Sequence, residues 1–197
     1  MKAGRHRIFD KDTALGKAME VFWTNGYPGT SLIDLTHAMG INKPSLYSAF
    51  GNKEELFKST LDMYVHKYGI VHVKHLFAAD KCLSERIQCY LMAIAEMVTD
   101  PNLPGGCFVC NSTFEVGGTC LPSSAHQAII KINDITKSTL VEFFNAEKAK
   151  GNISSECSPL MMANYLLTLQ FGLAVMARNG AGLEELDGVI KHSISKF

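Results

Sequence analysis

Two cysteines three residues apart, in Cys107-Phe108-Val109-Cys110, are the densest reactive chemistry in this 197-residue sequence. On a helix that spacing puts both sulfurs on one face. Cys107 follows the loop Pro101 to Gly106, so it should stand near a helix N-terminus, where the positive end of the dipole lowers a thiol's pKa. Cys120 and His126 follow closely. Three readings compete. The thiols are small buried hydrophobes, the commonest fate of free cysteine. They sense oxidants or electrophiles. Or they bind a soft metal such as Cu(I) or Zn(II). Structural zinc usually needs a second ligand pair, which only Cys120 and His126 could supply, so the metal question stays open. A thiol oxidoreductase would set CxxC at a helix start after a strand, and no segment here alternates as a strand does. No Ser/His/Asp arrangement, paired carboxylates or phosphate-cradling loop stands out, and Pro104-Gly105-Gly106 reads as a connector. No enzyme activity and no cofactor are expected.

A second chemistry is positional. Lys43, Pro44, Ser45 and Ser48 are small, polar or basic, and they interleave with apolar Leu46 and Phe50. If the segment is a short helix, one side is buried and the other offers hydrogen-bond donors and one positive charge. Such a helix suits the major groove of DNA, with its N-terminal residues on base edges. Two unremarkable surface helices would carry the same pattern.

The elements that position these residues read as helices throughout. A first helix starts at Asp10 or Asp12, either of which can cap it, and buries Ala14, Leu15, Ala18, Met19, Phe22 and Trp23 before Asn25-Gly26. Ser31 and Asp34 stand at capping-box spacing for a second helix that ends at Gly40. Asn42 opens the third, with Pro44 tolerated in its first turn. Asn52 and Glu55 start a longer fourth helix toward Ala79. Further helices are expected at 84–99, 107–116, 123–150, 158–178 and 183–196.

Formal net charge is zero. Residues 1–53 carry seven Lys/Arg against four Asp/Glu, and the rest carries twelve against fifteen. A weakly basic head on a weakly acidic body permits nucleic-acid binding by the head. Met1 to Asp10 holds no apolar stretch of signal-peptide length, and no run approaches the roughly 18 apolar residues of a membrane span. The expectation is a cytoplasmic protein with no membrane partner and with reduced thiols.

Residues 4–57 resemble the DNA-binding domain of TetR-family transcriptional regulators. The resemblance rests on Gly4-Arg5-His6-Arg7-Ile8-Phe9-Asp10, Gly26-Tyr27, Thr30-Ser31-Leu32, the run Met39 to Phe50, and Asn52-Lys53-Glu54-Glu55-Leu56-Phe57. It is closest to a subgroup opening G-R-P-R-x-F-D, from which this chain departs at His6. The resemblance implies an all-α fold. A three-helix helix-turn-helix head (1–57) is joined by a long helix to a helical effector-binding and dimerisation body (58–197). It also implies roles. Lys43, Pro44, Ser45 and Ser48 would touch bases or nearby phosphates. The Tyr47 hydroxyl would reach a phosphate, and Lys53 would hold one at the start of the fourth helix. Thr30 and Ser31 would donate to the backbone, and Arg5 and Arg7 would form an arm in the minor groove.

Implied partners are double-stranded palindromic operator DNA, a second copy of the chain as homodimer, and a small-molecule, thiol-reactive or metal effector. An effector pocket is expected to include His66, Tyr90, Cys107, Cys110 and Phe114. The dimer surface is expected on the last two helices, through Leu166, Leu169, Leu173 and Met176, then Leu186 and Ile190. These stripes read equally as core. The implied action is repression relieved by the effector, with sensing through Cys107 and Cys110 as the alternative.

Overall fold

A computed structural model of the chain describes residues 9–195 and 197, and its described residues form helices and no strand. Helix α1 (Lys11–Asn25) is capped by Asp10, which accepts from the Asp12 amide and the Thr13 hydroxyl. Helix α2 (Leu32–Met39) starts in a full capping box. Ser31 Oγ accepts from the Asp34 amide at 3.1 Å, and the Asp34 carboxylate accepts from the Ser31 amide at 2.8 Å. Gly40, at φ 66° and ψ 28°, ends it in the left-handed region, a conformation open to glycine at no steric penalty. Helix α3 (Lys43–Phe50) is capped by Asn42 and α4 (Lys53–Tyr64) by Asn52, each side-chain oxygen accepting from the amide three residues on.

The expected long fourth helix changes winding instead of running on as one α-helix. After Tyr64 come a π-helical segment, Val65–Gly69, then α5 (Ile70–Val73), then a 3-10 turn, Lys74–Phe77. Residues four apart in an α-helix drift by about 40° around the axis. The wider π winding offsets that drift. Tyr64, Tyr68 and His72 therefore all reach one internal cavity.

The body comprises α6 (Leu83–Val98), α7 (Phe108–Glu115), α8 (Ser123–Ala149), α9 (Pro159–Arg178) and α10 (Leu183–Ile194). Its core sits where α6 meets α9 and α10, around Ile87, Leu91, Ile94, Leu166, Leu173 and Leu186. Arg86 and Glu147 form a buried ion pair there. Arg86 Nη2 lies 2.5 Å from Glu147 Oε2, its Nη1 donates to the Leu76 carbonyl, and Asn152 and Lys150 donate to the same carboxylate. Arg86 and Lys150, with hydrogen bonds from Asn152, hold the Glu147 carboxyl down at about 2 against the pull of burial.

A second core belongs to the head but does not stop at it. Phe22, Trp23, Leu46, Phe57 and Tyr64 pack with Phe108 and Val109 of α7 and Ile129 of α8. The Phe108 ring lies edge-on to Phe57 and Tyr64, both at 5.7 Å, and stacks on Trp23 at 6.4 Å. Helix α9 is apolar on nearly every side and, against the expectation that no run approaches a membrane span, is long and apolar enough to cross a membrane. Its apolarity divides instead between a face packed on α6 and α8 and a face left open in the monomer.

That division corrects the expectation for four of the six dimer residues and leaves the half-buried Leu169 and Met176 untested. Leu166, Leu173, Leu186 and Ile190 are fully buried within the protomer, and Leu169 and Met176 pack against the same core. The open face of α9 carries Met161, Tyr165, Thr168, Gly172 and Val175, with Met161 65% exposed. Their spacing of four, three, four and three is that of a helix-pairing seam.

Candidate functional site

The head presents α3 as the sequence pattern requires. Leu46 and Phe50 are buried, and Lys43, Pro44, Tyr47 and Ser48 are exposed. Ser45 is half-buried, and its amide is taken up by Asn42. Ser31 is exposed at the start of α2. Arg5 and Arg7 lie outside the described residues.

Two of the expected phosphate ligands point elsewhere. Thr30 is only 2% exposed, and its hydroxyl donates to the Gly26 carbonyl at 2.7 Å. That bond closes the turn between α1 and α2, so the hydroxyl is committed inside the protein. Lys53 extends along the head: its ammonium donates to the Tyr27 carbonyl at 2.7 Å and sits 4.2 Å from the centre of the Tyr27 ring. Partial burial pulls its pKa down, opposed by the carboxylates of Glu115 and Asp34. On the other side of the same turn, both Glu115 oxygens accept from the Tyr27 amide at 3.2 Å. Glu115, at the end of α7, thereby ties body to head. Sequence reading missed this residue, since nothing about a glutamate at a helix end signals a partner 88 residues away.

The body encloses a cavity of about 160 Å³ between the α4–α5 segment and α6, α7, α8 and α9. Tyr90, Cys107 and Cys110 line it, as expected. His66 and Phe114 do not. His66 is exposed over a shallow surface groove beside Asp12 and Met63. Phe114 is 71% exposed and faces outward beside Val175. Helical periodicity turns His66 away from Tyr64 and Tyr68, whereas Phe114 stands a full turn beyond Cys110, near the end of α7 and outside the lining. The lining residues Tyr64, Tyr68 and His72 come from the head-to-body connection.

The thiols are not activated. Cys107 caps α7, yet burial pushes its thiol pKa up and outweighs both the Tyr64 hydrogen bond and the nearby amides. Burial and the neighbouring Cys107 push Cys110 up to about 12. The expected thiolate at the helix start is therefore corrected: desolvation wins over the helix end. The Tyr64 hydroxyl donates to Cys107 Sγ at 3.2 Å, and the Tyr90 hydroxyl to Gln170 Oε1 at 2.9 Å. Cys120 is exposed and lines no part of the cavity. Among the described residues no three His, Cys, Asp or Glu side chains gather to hold a metal ion. His72 is nine-tenths buried, and its Nε2 has no partner. Burial, with His75 and Lys74 nearby, pulls its pKa down to about 4, so its ring is neutral at pH 7.

Residues 14–60 match the family model for bacterial regulatory proteins of the tetR family, and residues 84–192 match the tetracyclin repressor-like C-terminal domain. The chain is 37% identical over 185 residues to the HTH-type transcriptional repressor ComR of Escherichia coli, spanning 93% of this chain and 86% of ComR. It is 28% identical over 196 residues to YezE, an uncharacterized HTH-type regulator of Bacillus subtilis, with 98% of each covered. Among solved structures it superposes on a cysteine-substituted TetR-family regulator, CifR, complexed with 26-bp double-strand operator DNA. The TM-score is 0.90, with 32% identity over 98% of this chain and 100% of that one. With both halves matched and relatives of this identity along nearly its whole length, the chain belongs to the TetR family of transcriptional regulators.

Proposed function

We propose that this regulator represses transcription by binding a palindromic operator as a homodimer, and that an effector filling the body cavity releases it. The observation that carries the reading is the exposure of Lys43, Pro44, Tyr47 and Ser48 along one edge of α3, above a buried Leu46 and Phe50. A relative of the same architecture, CifR, is itself complexed with operator DNA. Lys43, Ser45 and Ser48 read or flank base edges, and Tyr47 and the Ser31 hydroxyl donate to phosphates. Arg5 and Arg7 add minor-groove contacts. Lys53 acts from behind, by holding the Tyr27 turn on which α2 is mounted.

The two-fold partner pairs through the open face of α9, with Met161, Tyr165, Gly172 and Val175 at the seam and Phe114 at its edge. Heads on a symmetric dimer then read half-sites about one helical turn apart, or a multiple of it. Release follows from shared residues. Tyr64 and Cys107 line the cavity, and Phe108, next in sequence, stands in the head's core. An occupant that displaces them shifts α4 and α7 together and changes the spacing of the two heads.

Fluorescence anisotropy of a labelled duplex from the promoter of the gene's own operon tests the reading. Affinity should fall steeply with salt, since each neutralised phosphate adds to the logarithmic slope, and Lys43→Ala should reduce that slope by about one. Binding that ignores salt, or a Lys43→Ala slope equal to the parent's, would count against it.

A further inference from the structure

We propose that the body cavity takes a small, uncharged, mostly apolar molecule with a single hydrogen-bonding group, and that His72 is the residue that selects it. This rests on the reading of the cavity as the effector site.

Charge is the first discriminator. No Asp, Glu, Lys or Arg lines the cavity, so an ion entering it would shed its water without gaining a counter-charge. Cys107 and Cys110 offer a soft metal two thiols on this lining, and among the described residues no third His, Cys, Asp or Glu gathers with them.

Polar vacancy is the second. Most polar side chains around the space are already engaged. The Tyr64 hydroxyl goes to Cys107 and that of Tyr90 to Gln170, while Asn133 donates to Thr113. The Thr136 and Thr139 hydroxyls donate to carbonyls of their own helix. Among the lining residues only His72 carries a fully buried side-chain nitrogen or oxygen with no partner, its Nε2; the other two such atoms, on Arg86 and Asn111, belong to residues outside the lining. A neutral imidazole nitrogen donates or accepts according to tautomer, and a hydroxyl satisfies either. Size is the third. About 160 Å³ is close to the roughly 150 Å³ apolar cavity that holds benzene.

Calorimetric titration of the full chain with benzyl alcohol, toluene, benzoate and benzylammonium tests the proposal on four molecules of one shape. Fluorescence of Trp23, the only tryptophan, reports entry because its ring lies 4.9 Å from that of the lining residue Tyr64. Benzyl alcohol should bind about tenfold more tightly than either ion and than toluene. His72→Phe should abolish the preference for the alcohol over toluene while leaving toluene bound. Equal or tighter binding of either ion overturns the proposal. So do an unchanged alcohol-to-toluene ratio in His72→Phe and a failure of all four to bind. If His72→Phe does not fold, the order among the four on the parent chain decides alone. The effector reading is judged separately, by operator affinity at saturating benzyl alcohol. An unchanged affinity there ends that reading and leaves the pocket chemistry standing.

Discussion

The hydroxyl of Tyr64 donates to the sulfur of Cys107 across 3.2 Å, joining the last turn of α4 to the first residue before α7. Tyr64 is at the same time an edge-on neighbour of Trp23 in the head, and Cys107 is followed by Phe108, which is buried against Trp23 and Phe57. One contact thus borders both the cavity and the head's core. Interior packing is dense and resists gradual deformation, so crowding this contact must move one helix or the other.

Buried, pKa-raised thiols react slowly. Brief treatment of the native chain with iodoacetamide, read by peptide mass spectrometry, should modify exposed Cys82, Cys120 and Cys157 well before Cys107 and Cys110. Reactivity tracks thiolate fraction and access. Labelling of Cys107 as fast as Cys120 would contradict the cavity as described.

Lys53 separates two roles that look alike in a binding curve. As a support for Tyr27, its loss in Lys53→Ala removes a hydrogen bond and a cation over a ring. The expected effect is a destabilisation of about 1–2 kcal/mol. Urea unfolding should register it, and DNA affinity should drop with an unchanged salt slope. A lowered slope with unchanged stability would return Lys53 to the phosphate.

The Glu147 carboxyl has a folded-state pKa near 2, below the usual glutamate value of about 4.3. Its contribution to stability is therefore complete above that ordinary value and is lost as pH falls toward the folded one. Glu147→Gln, which strands Arg86 in the core, should destabilise by about 3–5 kcal/mol at pH 7. The difference between variant and parent urea midpoints should shrink between pH 5 and pH 3. A difference that stays constant over that window would show that the charge is irrelevant.

Helix α9 yields a paired test. Met161→Glu or Val175→Glu, on its open face, should dissociate the proposed dimer in sedimentation velocity with little change in protomer stability. Leu166→Ala, on its closed face, should destabilise by about 2–5 kcal/mol and leave the folded fraction dimeric. The reverse pattern would restore the originally expected interface.

The head was legible because its signals are local. Ser31 with Asp34, Asn42 before Lys43-Pro44, and Gly40 at the turn each act on backbone within four residues, so the sequence contains both partners. The body's signals are not local. On α9 both faces are apolar, and only packing against α6 and α8 decides that Leu166 goes in and Met161 stays out. Thr30 and Lys53 have the right chemistry for phosphate, but the Gly26 and Tyr27 carbonyls claim them through folding of the turn. Cys107 was placed correctly at a helix start; its environment was not readable, because the burial that raises its pKa comes from two cores assembled from segments distant in sequence. The π-helical segment that brings His72 to the cavity has no simple residue signature.

Selection of bound duplexes from a random library tests the central claim most directly, using the parent chain and a Lys43→Ala, Tyr47→Phe variant in parallel. The account predicts that the parent enriches an inverted repeat with half-sites about one helical turn apart, or a multiple, and that the variant enriches it weakly or not at all. Enrichment of no symmetric sequence by the parent, or of the same sequence equally well by the variant, would contradict it.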